Sequence, residues 1–356
     1  MKKTVYKKSL IIPLCMGLVL IFSSPLFAHK RVRMYRSLNM TIHSGIDKIY
    51  RGEYDGALET FQQIIKKDEE SPVGYFYTAA FYEVMMQSFR NRSYEEQFNF
   101  NINEAIKKGE KLLDVYKDDE WLYFYLGGSY GYRAIDRTET GNWFGAFSDA
   151  VRGATYLEKA IEINPELFDA YYGFGVYKYW RSVKSKVLWF LPFFEDERKS
   201  GISDIELAIN KGQYSQYEAM GTLVTIYRNE QDYEKALDLT RAILEKYPDN
   251  IHALRMKGIL SVDLKKWDEA RSVFQELSGK LNESKWQSNI SHIEVLYYLT
   301  FIDFQQQKTE SCVQGCMKLI NFKDGMDDYA RSDTMINLKK KINDLCRRKV
   351  LVKIKD

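Results

Sequence analysis

Tyr217–Leu277 holds one pattern written twice without a gap. In the first copy Met220, Leu223, Val224 and Tyr227 precede Ala236, Thr240, Ile243 and Pro248. In the second, Leu254, Lys257, Gly258 and Ser261 precede Ala270, Phe274 and Leu277. Corresponding positions lie 34 residues apart, as from Val224 to Gly258 and from Ala236 to Ala270. Tyr233-Glu-Lys-Ala-Leu and Trp267-Asp-Glu-Ala-Arg are the same phrase. A period near 34, with apolar and small residues at these offsets, predicts helix–turn–helix units that hide their apolar stripes only against neighbouring units.

Working outward, the template fits Leu38–Ser71, with Gly45 at the small position of the first helix and Tyr54, Ala57, Phe61 and Ile64 on the second. The next unit opens at Pro72 with Tyr75, Ala79 and Tyr82, and its second half comes at Ala105 and Leu112. A third contains Tyr123-x-x-Leu126-Gly127-x-x-Tyr130 and closes on Leu157, Ala160 and Pro165. A fourth holds Tyr171, Phe174 and Gly175 and closes on Ile205 and Ala208. In these three units the two helices stand 14 residues farther apart than the template asks. Tyr82 to Ala105 and Tyr130 to Gly153 are each 23 where 9 is expected, and Gly175 to Gly201 is 26 where 12 is expected. Four helical turns take about 14.4 residues. Two turns added to each helix would keep both stripes in phase, with a period near 48. Beyond Leu277, Gly279–Asn289 is polar and reads as a loop. A weaker unit follows, with Tyr297, Phe301 and Phe304 and then Val313, Met317 and Ile320. The last helix sets Leu338, Ile342, Leu345 and Val352 on one stripe, with Lys339, Lys340, Arg347, Arg348 and Lys353 on its other faces, the pattern of a cap.

From roughly residue 38 to 330 these residues resemble the tetratricopeptide repeat (TPR) family. The resemblance implies an all-α chain: a right-handed superhelical α-solenoid of about six to seven TPR-like helix pairs with a C-terminal capping helix. Residues 72–212 look like a longer-helix variety found in bacterial envelope proteins. The expected organisation is 1–28 signal peptide or anchor, 29–37 linker, 38–330 solenoid, and 331–356 capping helix and basic tail. The resemblance also implies a concave groove lined by the first helix of each unit. Its contact positions fall on Trp121, Phe124 and Tyr132, then on Tyr172, Tyr179 and Trp180, then on Arg228 and Asn229, and with His252 on Arg255. A groove aromatic at one end and basic at the other would hold a protein or peptide partner in extended form. The competing reading is that the longer helices bury these aromatics against each other.

Lys2, Lys3, Lys7 and Lys8, then the apolar run Leu10–Phe22 and the breakers Ser23, Ser24 and Pro25, read as an export leader cut after Ala28. An exported, periplasmic or envelope-associated protein is the expectation. The alternative is an uncleaved anchor, since Ser9–Phe27 has about the length that spans a bilayer. Removing the leader's four lysines from 52 basic residues leaves 48 against 49 acids, so no nucleic-acid partner is expected. The aromatic stretch 179–194 is either a packed lid or a patch for glycan or lipid, and residues 187–194 and the N-terminus are the two places where the chain would meet a membrane.

Chemistry-bearing motifs are sparse. Gly127-Gly128-Ser129-Tyr130-Gly131 spells G-x-S-x-G, yet it lies within an expected helix and lacks the strand–turn–helix setting of a nucleophile elbow. His29, His43, His252 and His292 are scattered. Cys312 and Cys316 share a helical face, and with Cys346 they read as small buried thiols and not as metal ligands. No enzyme, metal or cofactor is expected. The expected function is a non-enzymatic protein-binding scaffold.

Overall fold

The structure is a computed structural model that describes residues 25–185, 195–321 and 332–350. The chain divides into two units, Met1–Leu38 and Asn39–Asp356. Of the first, residues 25–38 are helical and form the opening of α1 (Pro25–Tyr50), so the segment 29–37 expected as a linker falls inside a helix. The leader's apolar run lies outside the described residues, and no helix among the described residues is long and apolar enough to cross a membrane.

In the second unit the end of α1 is followed by α2 (Tyr54–Lys67), α3 (Pro72–Phe89), α4 (Glu95–Leu113), α5 (Glu120–Glu139), α6 (Trp143–Ile163), α7 (Phe168–Ser185) and α8 (Arg198–Lys211). Then come α9 (Gln216–Asn229), α10 (Tyr233–Lys246), α11 (Ile251–Asp263), α12 (Trp267–Glu283), α13 (Asn289–Gln305), α14 (Thr309–Asn321) and α15 (Asp333–Ile342). The described residues contain no strand. Among them seven helix pairs stack in chain order, each packing on the next, as an all-α solenoid.

In every pair but the fourth, whose connection lies mostly outside the described residues, the turn has one chemistry. Gly52, Arg90, Gly141, Gln231, Lys265 and Gln307 all take positive φ, between 51° and 80°. The amide after each reaches back five residues, for example Asp232 to the Tyr227 carbonyl at 2.8 Å and Lys266 to Ser261 at 2.8 Å. This left-handed closure satisfies carbonyls that a helix end would otherwise leave bare. Several starts are fixed by side-chain caps. The side chains of Ser71, Asp119, Asn142, Asp232 and Asn250 accept amides of the first turn, and Pro72 occupies the first position of α3.

The first helices of the middle units begin at Pro72, Glu120, Phe168 and Gln216, 48 residues apart each time. The helices α3 to α6 run 18 to 21 residues, against 13 or 14 for α9 to α11. In the fourth unit only the first helix is long. α8 has 14 residues and starts at Arg198, and residues 186–194 before it lie outside the described residues. Close crossings explain the small positions. A Cβ on Gly175 would stand 2.5 Å from the Gly201 carbonyl oxygen, and one on Gly258 would stand 2.9 Å from the Phe274 ring.

Two expectations at the C-terminal side are corrected. α12 continues to Glu283 because Leu281 is buried, so the loop is only residues 284–288. Cys316 and Cys346 form a disulfide with Cα atoms 5.2 Å apart, while Cys312 is free and buried. Thirty residues of sequence separate the bonded pair, and it is the return of the helical turns Asn343–Val350, which follow α15, onto α14 that brings them together. The expected stripe Leu338, Ile342 and Leu345 is buried, and Val352 lies outside the described residues. α15 also reaches α5, where Thr334 Oγ1 donates to Glu139 Oε2 at 3.1 Å.

Candidate functional site: the inner face of the solenoid

The first helices α3, α5, α7, α9 and α11 touch in sequence along the inner face, and α11 also packs on α3. That last contact joins the second pair to the sixth. It closes the inner face of the 39–356 unit instead of leaving a groove.

A buried charged centre holds this closure. Arg255 is 1% exposed. Its Nε lies 2.9 Å from Glu294 Oε2, while its other nitrogens donate to the Ser88 carbonyl and to Ser291 Oγ. Arg90, in the left-handed turn after α3, meets the same carboxylate at 3.3 and 3.4 Å. Ser288 and Ser291 donate to the carbonyls of Phe89 and Arg90, which the end of α3 would otherwise leave unpaired. Asn91 Nδ2 donates to the Trp286 carbonyl at 3.2 Å. Trp286 packs its ring 5.5 Å from Phe81 and 5.0 Å from Tyr94. Burial works against the Glu294 charge, but Arg90 and Arg255 together hold the carboxyl below its ordinary range. Burial pulls the Arg255 guanidinium down to about 10, which still leaves it charged at neutral pH. His252 is pushed to about 4 by burial and by the two guanidiniums, so its imidazole is neutral.

The first pair closes on the fifth and sixth in the same way. Tyr50 lies 5.5 Å from Tyr217 and 5.3 Å from Tyr247, the Tyr247 hydroxyl donates to Asp47 at 2.9 Å, and Lys285 pairs with Asp55 at 2.7 Å. Between these layers Tyr132 donates to Glu218 at 2.5 Å, and Tyr172 shares a hydrogen bond with Thr222 at 2.9 Å. Burial raises the Glu218 carboxyl, against the hydrogen bonds from Tyr132 and Tyr172. Glu83 of α3 is 4% exposed, and burial lifts it to about 7 against a hydrogen bond from Gln87.

All nine expected contact positions lie on first helices, but they differ in what they can touch. Phe124, Tyr179 and Arg255 are buried. Phe124 stands 6.0 Å from Phe76, and Tyr179 donates to Glu230 at 2.8 Å. Trp121, Tyr132, Tyr172, Trp180 and Arg228 are partly buried, and Asn229 is exposed. Trp121 packs 5.7 Å from Tyr214, Trp180 lies edge-on to Tyr179 at 5.1 Å, and Arg228 pairs with Asp263 at 2.6 Å. Asn229 Nδ2 donates to the Tyr179 hydroxyl at 2.7 Å. The basic end of the expected groove is therefore neutralised by Glu294 and Asp263. Register on the helix located these residues, but it could not show which acids would meet the arginines. Trp286 and Arg90 went unnoticed because each sits in a turn or loop outside the family's contact positions, and Glu218, which holds in its unit the position of Trp121 and His252, was passed over as a lone acid.

Ser129 of the G-x-S-x-G motif is fully buried in the middle of α5. Among the described residues no group of three or more His, Cys, Asp and Glu side chains could hold a metal ion. Of the aromatic stretch 179–194, residues 186–194 lie outside the described residues, as does the expected membrane contact at 187–194.

Residues 222–250 match the family described as tetratricopeptide repeat. They cover the end of α9, all of α10 and the turn into α11. No curated protein matches the sequence. Among solved structures, Cut9–Hcn1 of the APC/C hetero-tetramer is 10% identical over 80% of this chain and 46% of its own, with a TM-score of 0.51. This chain spans under half of that one, and the likeness shows the all-α solenoid fold. A thermophilic TPR protein of Thermus thermophilus is 16% identical over 63% of this chain and 97% of its own, TM-score 0.40. YrrB, a TPR protein with an unusual peptide-binding site, is 16% identical over 61% and 92%, TM-score 0.42. One stretch of this solenoid of paired helices is thus similar to a tetratricopeptide repeat.

Proposed function

We propose that this chain is a non-catalytic scaffold of the bacterial cell envelope that holds a protein partner. The observation carrying the reading is the stack of seven helix pairs, whose buried polar groups are spent on one another in closing the inner face, not converged on a reaction site. With Phe124, Tyr179 and Arg255 built into the core and the inner face closed around Trp121, Tyr132, Tyr172, Trp180 and Arg228, Asn229 is the expected contact position left exposed to meet a partner. Export is supported by the basic and apolar leader and by the Cys316–Cys346 disulfide, a bond that persists in oxidising compartments. A photo-crosslinking residue at exposed Asn229 in intact cells tests the proposal. A discrete protein adduct formed in the envelope fraction is expected. Absence of any adduct, or recovery of the protein only in the cytosol, would overturn it.

A further inference from the structure

Three strongly exposed aromatic rings stand together on one helix, α6, and no function so far uses them. Phe144 is 93% exposed, Phe147 67% and Trp143 50%, and Val151 beside them is 37% exposed. Their spacing of one, four and eight residues from Trp143 sets them along one side of α6, over the turns that the 48-residue period adds. The three aromatics alone leave on the order of 400 Å² of ring surface in water, taking ~200 Å² for each aromatic side chain. That is within the range in which a patch on a soluble monomer is functional.

Beside the rings the charges are one-sided, and the first exposed acid along α6 is Glu158, beyond the patch. From Trp143 to Thr155 every exposed side chain is apolar, hydroxyl or cationic: Ser148, Thr155 and Arg152 complete the set. The acid of this stretch, Asp149, is buried and held by Arg133 at 2.8 Å and Arg137 at 2.6 Å. Arg152 donates to the Tyr130 hydroxyl and lies over its ring, not against a carboxylate. Lys184, at the end of α7, stands over the Trp143 ring at 5.5 Å.

We propose that the α6 face is a membrane-docking surface for a bilayer carrying anionic headgroups. Aromatic and aliphatic side chains enter the boundary between headgroup and acyl chain, and the flanking cations meet phosphate, as interfacial helices do. A second copy of the chain is a poorer fit, since ~400 Å² is half of the roughly 800 Å² that each partner of a stable dimer contributes. A bilayer needs no matching shape. The surface is independent of the position assigned to the protein partner, and it sits on rigid helix.

Flotation of the full chain with vesicles of phosphatidylcholine alone, or with added phosphatidylglycerol, tests the proposal. Binding to the anionic vesicles is expected, weakening as salt rises. Phe144→Glu with Phe147→Glu should lower that binding at least tenfold, and Lys184→Glu should lower it severalfold, both without moving the thermal midpoint. The N-terminal leader is present in every variant, so any binding of its own cancels in the comparison. Equal binding by wild type and the double variant would overturn the proposal, as would no binding to either vesicle. So would loss of a discrete oligomer or protein adduct on Phe144→Glu with Phe147→Glu, which would make this face a protein interface.

Discussion

The inner face and the outer side of α6 are built from the same kinds of residue and have opposite fates. Inside, Phe76, Phe124, Trp121 and Tyr132 meet ring against ring, and Arg255 and Glu294 neutralise each other out of water. Outside, Trp143, Phe144 and Phe147 project into solvent beside Arg152 and Lys184. Aromatic and basic residues at contact positions are thus no guide to a binding surface. What separates the two regions is whether a distant part of the chain arrives to cover them. On the inner face α11, α13 and the 284–288 loop do so, while α6 has no such cover among the described residues.

The largest test of this contrast is Glu294→Ala. It strips the shared carboxylate from Arg255 and Arg90 and leaves two buried guanidiniums facing each other, at a cost of about 3–5 kcal/mol. The loss should appear as a lower urea midpoint, whereas removal of an exposed ion pair such as Lys285–Asp55 should cost less than ~1 kcal/mol.

A smaller effect, and one with a sign, belongs to Glu83. Folded, it keeps its proton up to about pH 7, while the unfolded carboxyl loses it near 4.5. Between those values the folded chain binds more protons, so stability falls as pH rises and the full cost is present above pH 7. Glu83→Gln should therefore stabilise by roughly 3 kcal/mol at pH 8 and have no effect below pH ~4.5, read from thermal melts across pH. A pH-independent effect would mean that the carboxyl is solvated.

The smallest effect is expected outside. Phe144→Ser should change stability by less than ~0.5 kcal/mol, because a side chain 93% exposed has no packing to lose. A large loss would show that α6 is covered after all.

Much of the architecture was legible along the chain because it is local. The 34-residue phrase at Tyr217–Leu277, Pro72 at a helix start and the constant 14-residue excess all report neighbours, and α3 to α7 lengthened as expected. The fourth unit departed only in α8. The closure was not legible, for it joins residues about two hundred positions apart, such as Arg90 with Glu294 and Tyr247 with Asp47, with no periodic trace. Trp286 stood in a polar stretch that read as a loop, and nothing nearby marked it as buried against Phe81. The site was legible to the same depth. Register put all nine contact positions on first helices, but exposure depends on what crosses from the far side, so Phe124, Tyr179 and Arg255 became core while Asn229 stayed open.

Closure of the inner face can be measured as one distance. Spin labels on Asp55→Cys and Lys285→Cys, exposed groups whose side chains lie 2.7 Å apart in the ion pair, would be placed in a Cys15→Ser, Cys312→Ser background that keeps the Cys316–Cys346 bond. Pulsed electron resonance should then return a single narrow distribution at the short end of its range. A long, broad distribution would mean that the first and sixth pairs stand apart, and that the solenoid presents an open groove.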